Sequence, residues 1–260
     1  QASEEIHIPP ENWSLAYSIH HFDQNRWHLG WKQLTDIVVS AHAHRSYKWF
    51  EEPPISLIEE VEEWPEERRS LYRLIDRIYR YHGEANDAIF DRWGEKTTIN
   101  IQNMNSIIDV FKDSFFIHLI RDGLDVVHSY TKRFDYSGDI SKPSRRWNSA
   151  MKQARKFKKS NPGSIMEIRY ENLVKRPKKE VKKICNFIGV KYYEKMLTNK
   201  EPIRKVENID EKPHYKNVKK DISTKGIGKG RRNMNEDKKR EVADIIQKEM
   251  IRMDYEPIDV

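Results

Sequence analysis

The segment that most restricts how this chain can fold is residues 115–130, FFIHLIRDGLDVVHSY. It reads as a strand that ends at Ile120, a turn, and a helix that begins near Asp122. A second short, apolar, β-rich run lies at 164–169 (SIMEIR). Helical patterns surround the two strands, over 57–81, 99–111, 122–134, 144–159, 178–188 and 235–253. Strands alternating with helices imply an α/β fold with a parallel sheet. Two strands are too few for such a sheet, so further strands are expected in ambiguous apolar segments such as 37–39 or outside this chain.

The turn between strand and helix is well specified. Asp122 can cap the helix, and Asp125, three residues on, can return a carboxylate to the cap's amide, a variant of the capping box. Arg121 leaves the carboxyl edge of the strand, where open α/β sheets bind ligands, beside the partial positive charge of a helix N-terminus. Free amides, the helix dipole and a guanidinium fork together favour an oxyanion, and phosphate fits best. Ser129, eight positions after Arg121, adds a hydroxyl donor. Taken alone, an Arg beside an Asp cap is also what a purely structural junction looks like.

Composition narrows the class. With 37% hydrophobic residues among 260, including 7 Trp, 12 Tyr and 9 Phe, the chain can bury a core. Turn signals such as Pro9-Pro10, Pro53-Pro54 and Asn161-Pro162-Gly163 are short, and no repeat divides the sequence, so residues 1–260 read as a single domain. A formal charge of +7 suits an anionic partner, or simply solubility. Cys185 is the sole cysteine, which excludes an intrachain disulfide and a thiolate metal cluster and fits a reducing, cytoplasmic setting. No apolar run approaches the roughly 20 residues needed to cross a bilayer. The ten histidines, among them His20, His21, His42 and His44, show no zinc-site spacing.

The junction IHLIRDGLDVVHSY resembles the 3′-phosphate site of sulfotransferases that use 3′-phosphoadenosine-5′-phosphosulfate (PAPS), in which an Arg ends a strand and a Ser follows eight residues later. Three other segments share the likeness, in family order. Trp93-Gly94-Glu95-Lys96-Thr97 resembles the WGDKT-type segment of bacterial members, and IRYENLVKRPKKEVKKICNFIGV resembles their strand, Tyr-Glu-Asn-Leu turn and following helix. Residues 225–231, KGIGKGR, resemble the Gly-rich basic loop that closes over the 3′-phosphate, with Gly230 where a Trp is common. The resemblance implies a P-loop-NTPase-like parallel sheet flanked by helices. It also implies PAPS as donor, the bisphosphate PAP as product, and transfer of a sulfuryl group to a hydroxyl or amine acceptor, anionic or carbohydrate in character.

Residue by residue, the resemblance assigns Arg121, Ser129, Tyr170, Lys225, Gly226, Lys229 and Arg231 to the nucleotide. Glu11, after Pro9-Pro10, matches a Glu that serves as catalytic base in several branches, and Lys96 would stabilise the departing phosphate. Each has a plainer reading: Glu11 as a helix-start residue, Lys96 as a surface lysine, Tyr170 as a buried aromatic at a strand end. The family's Gly, Ser and Thr-rich 5′-phosphosulfate loop has no counterpart here, and QASEEIHIPP resembles the segment just after that loop's helix. The expectation is therefore an N-terminally truncated copy lacking the first strand. Residues 12–90, rich in aromatics and His, are expected to shape the acceptor pocket. The basic run 151–159 either faces an anionic substrate or is a solvated helix face. An inactive relative that keeps the 3′-phosphate subsite is the main alternative. A nucleic-acid-binding protein lacks any recognisable motif, and a nucleotide kinase lacks GxxxxGK[ST].

Overall fold

The computed structural model describes residues 5–44, 49–50, 52–133, 138–198 and 221–259. Residues up to 114 form one compact unit; 115–198 with 221–259 form the body of a second.

In the first unit, β1 (Ile6–His7) is followed by α1 (Ser14–Asn25), α2 (Trp31–His44), α3 (Ile55–Glu62), α4 (Leu71–Glu84), β2 (Arg92–Trp93) and α5 (Asn100–Val110). β1 and β2 pair in parallel, Ile6 opposite Arg92 and His7 opposite Trp93. The segment 37–39, a possible strand by composition, is the middle of α2, with Val38 and Val39 both fully buried. Adjacent buried residues suit a helix enclosed by its neighbours as well as a strand, and the 14-residue span around them is long enough for a helix.

The single helix expected over 57–81 is two. Pro65 has no amide to donate and biases Trp64 away from helical geometry, so α3 stops at Glu62 and one 3₁₀ turn, Glu66–Arg68, intervenes. α4 then restarts at Ser70, whose hydroxyl accepts the Arg73 amide. The core of this unit includes Leu57, Val61, Leu74, Ile75, Ile78 and Tyr79, all fully buried. Trp93 stacks on Tyr79 with 3.9 Å between ring centroids and donates Nε1–H to Asp76 Oδ1 at 2.9 Å, which fixes the end of β2.

The second unit contains β3 (Phe116–Ile120), α6 (Gly123–Arg133), α7 (Ser141–Ser160), β4 (Ile165–Arg169), α8 (Tyr170–Lys175), α9 (Pro177–Ile188), α10 (Lys229–Asn233) and α11 (Glu236–Arg252). β3 and β4 are parallel, Phe116 opposite Ile165 through Ile120 opposite Arg169, and α6 and α7 provide the crossover that parallel strands require. The helix expected over 122–134 is α6, position 134 lying outside the described residues. Ile120, Leu124, Val127, Trp147, Met151, Val242, Ile246 and Met250 form the core between α6, α7 and α11. α6 approaches α11 so closely at Gly123 that a Cβ there would stand 2.5 Å from Ile246 Cδ1.

Candidate functional site

In the second unit the structure gathers residues around the end of β3. Asp122 caps α6, its Oδ1 accepting the Asp125 amide at 3.2 Å. The reciprocal half of the expected capping box is not made. The Asp122 amide donates instead to Glu171 Oε1 at 3.0 Å. The Asp125 carboxylate, fully buried, accepts the amides of Gly228 at 2.8 Å and Gly230 at 2.7 Å. An Asp is one methylene shorter than the Glu of a capping box, and two loop amides occupy its oxygens.

Those amides belong to the glycine-rich segment, which lies directly on the junction. Gly228 adopts φ +71°, open to a residue without a side chain, and precedes α10. Gly230 touches the backbone of α6: a Cβ there would meet Leu124 C and O at 2.3 Å. The place where the resembling family often carries Trp thus admits only glycine in this chain.

Arg121 is held between these elements. Its Nη2 donates to the Gly226 carbonyl at 2.6 Å and stands 3.5 Å from Asp125 Oδ2, while its guanidinium carbon lies 4.7 Å from the Tyr170 ring centroid. Its Nε–H is buried with no hydrogen-bond partner among the described residues. Trp147 Nε1 donates to the Arg121 carbonyl at 3.1 Å, which fixes the backbone at the strand end. The structure therefore brings Arg121, Tyr170 and Gly226 together. Ser129 is half-buried two turns along α6, and Lys225 and Lys229 are exposed on the glycine segment.

Arg231 is committed elsewhere. It donates Nε–H to Asp122 Oδ2 at 3.1 Å, Nη1–H to the Pro257 carbonyl at 2.9 Å and Nη2–H to the Glu256 carbonyl at 2.6 Å. It ties the cap of α6 to the C-terminal segment, where Tyr255 donates to Glu171 Oε2 at 2.9 Å. Burial pushes the Asp122 carboxyl up, opposed chiefly by the Arg231 charge. Along the basic run 151–159, Arg155 pairs with Glu249 and Lys158 with Glu167, while Met151, Ala154 and Phe157 face the core.

The first unit holds a second group. Lys96 Nζ stands 3.4 Å from Glu11 Oε2, with Glu11 mostly buried at 17% side-chain exposure and Lys96 at 68%. Asn12 locks the turn that carries Glu11: its Oδ1 accepts the Ser14 amide at 3.1 Å and hydroxyl at 2.6 Å, and its Nδ2 donates to the His42 carbonyl at 2.9 Å. Thr97 Oγ1 donates to the Asn12 carbonyl at 3.1 Å, so the turns carrying Glu11 and Lys96 are joined directly. Upstream, the Pro10 carbonyl accepts Trp49 Nε1 at 3.0 Å.

Glu95 is the carboxylate that sequence reasoning passed over. It is hydrogen-bonded to the Thr97 hydroxyl, whose single proton is shared with the Asn12 carbonyl, and accepts from the Asn100 side-chain amide. Burial pushes its pKa up to about 7, with the Glu11 charge adding to the rise and the two hydrogen bonds and Lys96 opposing it. Its position beside Lys96 was visible in the sequence; its place just after β2 and its loss of water were not. Among the described residues, no group of three or more His, Cys, Asp or Glu could hold a metal ion, and no helix is long and apolar enough to cross a membrane.

The amides expected to be free at the start of α6 are taken: Asp122 N–H by Glu171, Gly123 N–H by Met250 Sδ at 3.2 Å and Asp125 N–H by Asp122. These features describe an α/β protein with an arginine at a strand-to-helix junction, and its fold is that of known sulfotransferase domains. A sulfotransferase domain from the curacin biosynthetic pathway superposes with a TM-score of 0.57 at 15% identity, over 97% of this chain and 98% of that one. A sulfotransferase domain from the Synechococcus PCC 7002 olefin synthase gives 0.54 at 15% identity, over 89% and 88%. Both have the P-loop-like α/β fold. Residues 1–194 match the sulfotransferase family model, and the chain belongs to that family.

Among curated proteins, a Caenorhabditis briggsae protein named "Putative protein-tyrosine sulfotransferase" is 28% identical over 160 residues, 59% of this chain and 56% of that protein. One of the same name from Caenorhabditis elegans is 28% identical over 125 residues, 45% of this chain and 48% of that protein. A Drosophila melanogaster protein-tyrosine sulfotransferase is 27% identical over 142 residues, 51% of this chain and 27% of that protein. The chain spans about half the length, or less, of these curated relatives.

Proposed function

We propose that this chain binds PAPS and serves transfer of its sulfuryl group to a hydroxyl or amine acceptor. The observation that carries the reading is Arg121 at the carboxyl end of β3, stacked on Tyr170 beneath the Gly226 carbonyl, with a buried and unpartnered Nε–H beside the N-terminus of α6. In this reading Arg121 and Ser129 hold the 3′-phosphate and Tyr170 contacts the adenosine. Lys225, Gly226 and Lys229 close over the phosphate, and Arg231 secures the cap on which the loop rests.

The chemistry needs a base and a cation. As the acceptor oxygen forms its bond to sulfur, its proton passes to a carboxylate, and the bond from sulfur to the 5′-phosphate oxygen breaks. Glu11 is the base in this reading, and Lys96 neutralises charge on the leaving phosphate. A second assignment is favoured by Glu95, whose pKa near 7 suits a proton acceptor at neutral pH better than an ordinary carboxylate does. The structurally similar domains and the protein-tyrosine sulfotransferases named above support the transfer class and leave the acceptor open.

Isothermal titration of adenosine 3′,5′-bisphosphate against adenosine 5′-phosphate tests the reading. A preference for the bisphosphate of about tenfold or more, about 1.4 kcal/mol, is expected. Equal affinities overturn the assignment of Arg121. Selective binding without turnover of labelled PAPS on any acceptor favours a non-catalytic relative that retains the 3′-phosphate subsite.

A further inference from the structure

The Asp125 carboxylate touches both the guanidinium proposed for the 3′-phosphate and, through two amides, the loop proposed to close over it. It is fully buried, stands 3.5 Å from Arg121 Nη2, and accepts the amides of Gly228 and Gly230 at 2.8 and 2.7 Å. We propose that Asp125 is a positioning residue that sets the 3′-phosphate selectivity of the site by locking the glycine segment onto Arg121. The inference rests on the nucleotide reading above and goes beyond it in naming what selects the bisphosphate.

Three observations support a role beyond holding the fold. First, the carboxylate's oxygens are divided: Oδ1 serves Gly230, while Oδ2 serves Gly228 and faces Arg121, so one rigid anion fixes the loop and orients the guanidinium together. Second, the loop is registered by contacts on both sides of that anion. Gly226 offers its carbonyl to Arg121 and sits close under Tyr170, whose Oη would lie 3.0 Å from an added Cβ; Gly230 abuts Leu124. Third, Asp125 leaves the Arg121 Nε–H unpaired. A carboxylate bonded face-on to the guanidinium would have taken two of its N–H donors; one facing a single nitrogen orients the group and leaves more of them for an anion.

Replacing the carboxylate by an amide should therefore affect recognition of the 3′-phosphate more than folding. In Asp125→Asn, one of the two oxygens becomes an NH₂ group facing a backbone N–H, so one loop anchor is lost along with the charge that orients Arg121. Binding of adenosine 3′,5′-bisphosphate should weaken by about ten- to a hundredfold, while adenosine 5′-phosphate binding changes less than about threefold. A merely structural role would weaken both nucleotides alike, and that outcome overturns the proposal.

The wild-type chain supplies an independent measurement should the variant not fold. Hydrogen exchange should show the Gly228 and Gly230 amides protected well above those of exposed loop positions, with protection rising on addition of the bisphosphate and not on addition of adenosine 5′-phosphate. Fast exchange at both amides, or the same response to both nucleotides, overturns the proposal. If wild type binds the two nucleotides equally, the PAPS reading itself fails. If wild type discriminates and Asp125→Asn still does, only the role of Asp125 fails.

Discussion

Tyr170 lies against the Arg121 guanidinium, 4.7 Å from ring centroid to guanidinium carbon, and its hydroxyl borders the Gly226 backbone. The ring holds the cation by its π face while the carbonyl of Gly226 holds it by a hydrogen bond, so neither contact alone fixes its direction. Tyr170→Ala should weaken adenosine 3′,5′-bisphosphate binding by about three- to thirtyfold, equivalent to a cation–π contact of about 0.5–2 kcal/mol. Tyr170→Phe should stay within about twofold of wild type. Titration calorimetry on the two variants decides it; equal losses would place the effect in the hydroxyl instead of the ring.

Gly230 and Gly163 offer a matched pair of substitutions. A methyl at Gly230 would meet the Leu124 carbonyl at 2.3 Å, and backbone cannot swing aside as a side chain can. At Gly163 nothing lies within 4 Å and φ is not positive. Gly230→Ala should cost about 1–3 kcal/mol of stability, as overpacking does, and Gly163→Ala should stay within about 0.5 kcal/mol of wild type. Urea denaturation midpoints measured side by side check both.

Stability should fall on mild acidification. Burial pushes His42 down to about 4 and His82 to about 3 from the ordinary 6.5, His7 adding to the fall at His82. In the middle of the range from pH 6.5 to 4.5, both imidazoles are thus protonated in the unfolded chain and neutral in the folded one. Glu95 acts in the opposite sense: raised to about 7 from 4.5, it holds a proton in the folded chain that the unfolded chain lacks over the same window. These three groups leave about one extra proton on the unfolded state in the middle of the window, and Glu167, held down to about 2 by His118 and Lys158, adds to it toward pH 4.5, so stability is lost at about 1.4 kcal/mol per pH unit or somewhat more as pH falls. Glu95→Gln removes the opposing group and should make the loss about twice as steep. Urea titrations at pH 6.5 and 4.5 measure both slopes, and a gain in stability at the lower pH contradicts the assignment.

The two carboxylates near Lys96 can be separated by rate. Glu11→Gln should abolish turnover of labelled PAPS and spare bisphosphate binding. Should Glu95 be the proton acceptor instead, wild-type turnover rises with pH through about 7 and Glu95→Gln is the inactive variant. Near-normal turnover in both removes the catalytic carboxylate from this turn.

Local chemistry was legible. The strand ending at Ile120, the Asp122 cap and the helix over 123–133 follow from a β-rich run meeting a capping residue, and each stands where the residue pattern puts it. Helix limits were less so. The apolar spacing runs unbroken through Pro65, and periodicity alone spans a break that a missing amide imposes. The segment 37–39 shows the same limit, because a short apolar run is compatible with a buried strand or a buried helix.

Sequence by itself determined the pieces of the proposed nucleotide half-site: Arg121 at a strand end, Ser129 on the following helix, Tyr170 after the second strand and glycines between cations at 225–231. Only the tertiary structure decided how they combine. It turned Asp125 away from its own helix cap toward amides 103 and 105 positions distant, drew Arg231 off to Asp122 and the C-terminal carbonyls, and buried Glu95 deeply enough to hold a proton near pH 7. The reason is the range of the forces involved. Caps and periodicities act within one helical turn and are written in neighbouring residues, whereas the partner of a buried charge and the water it loses are set by whichever distant segment packs against it.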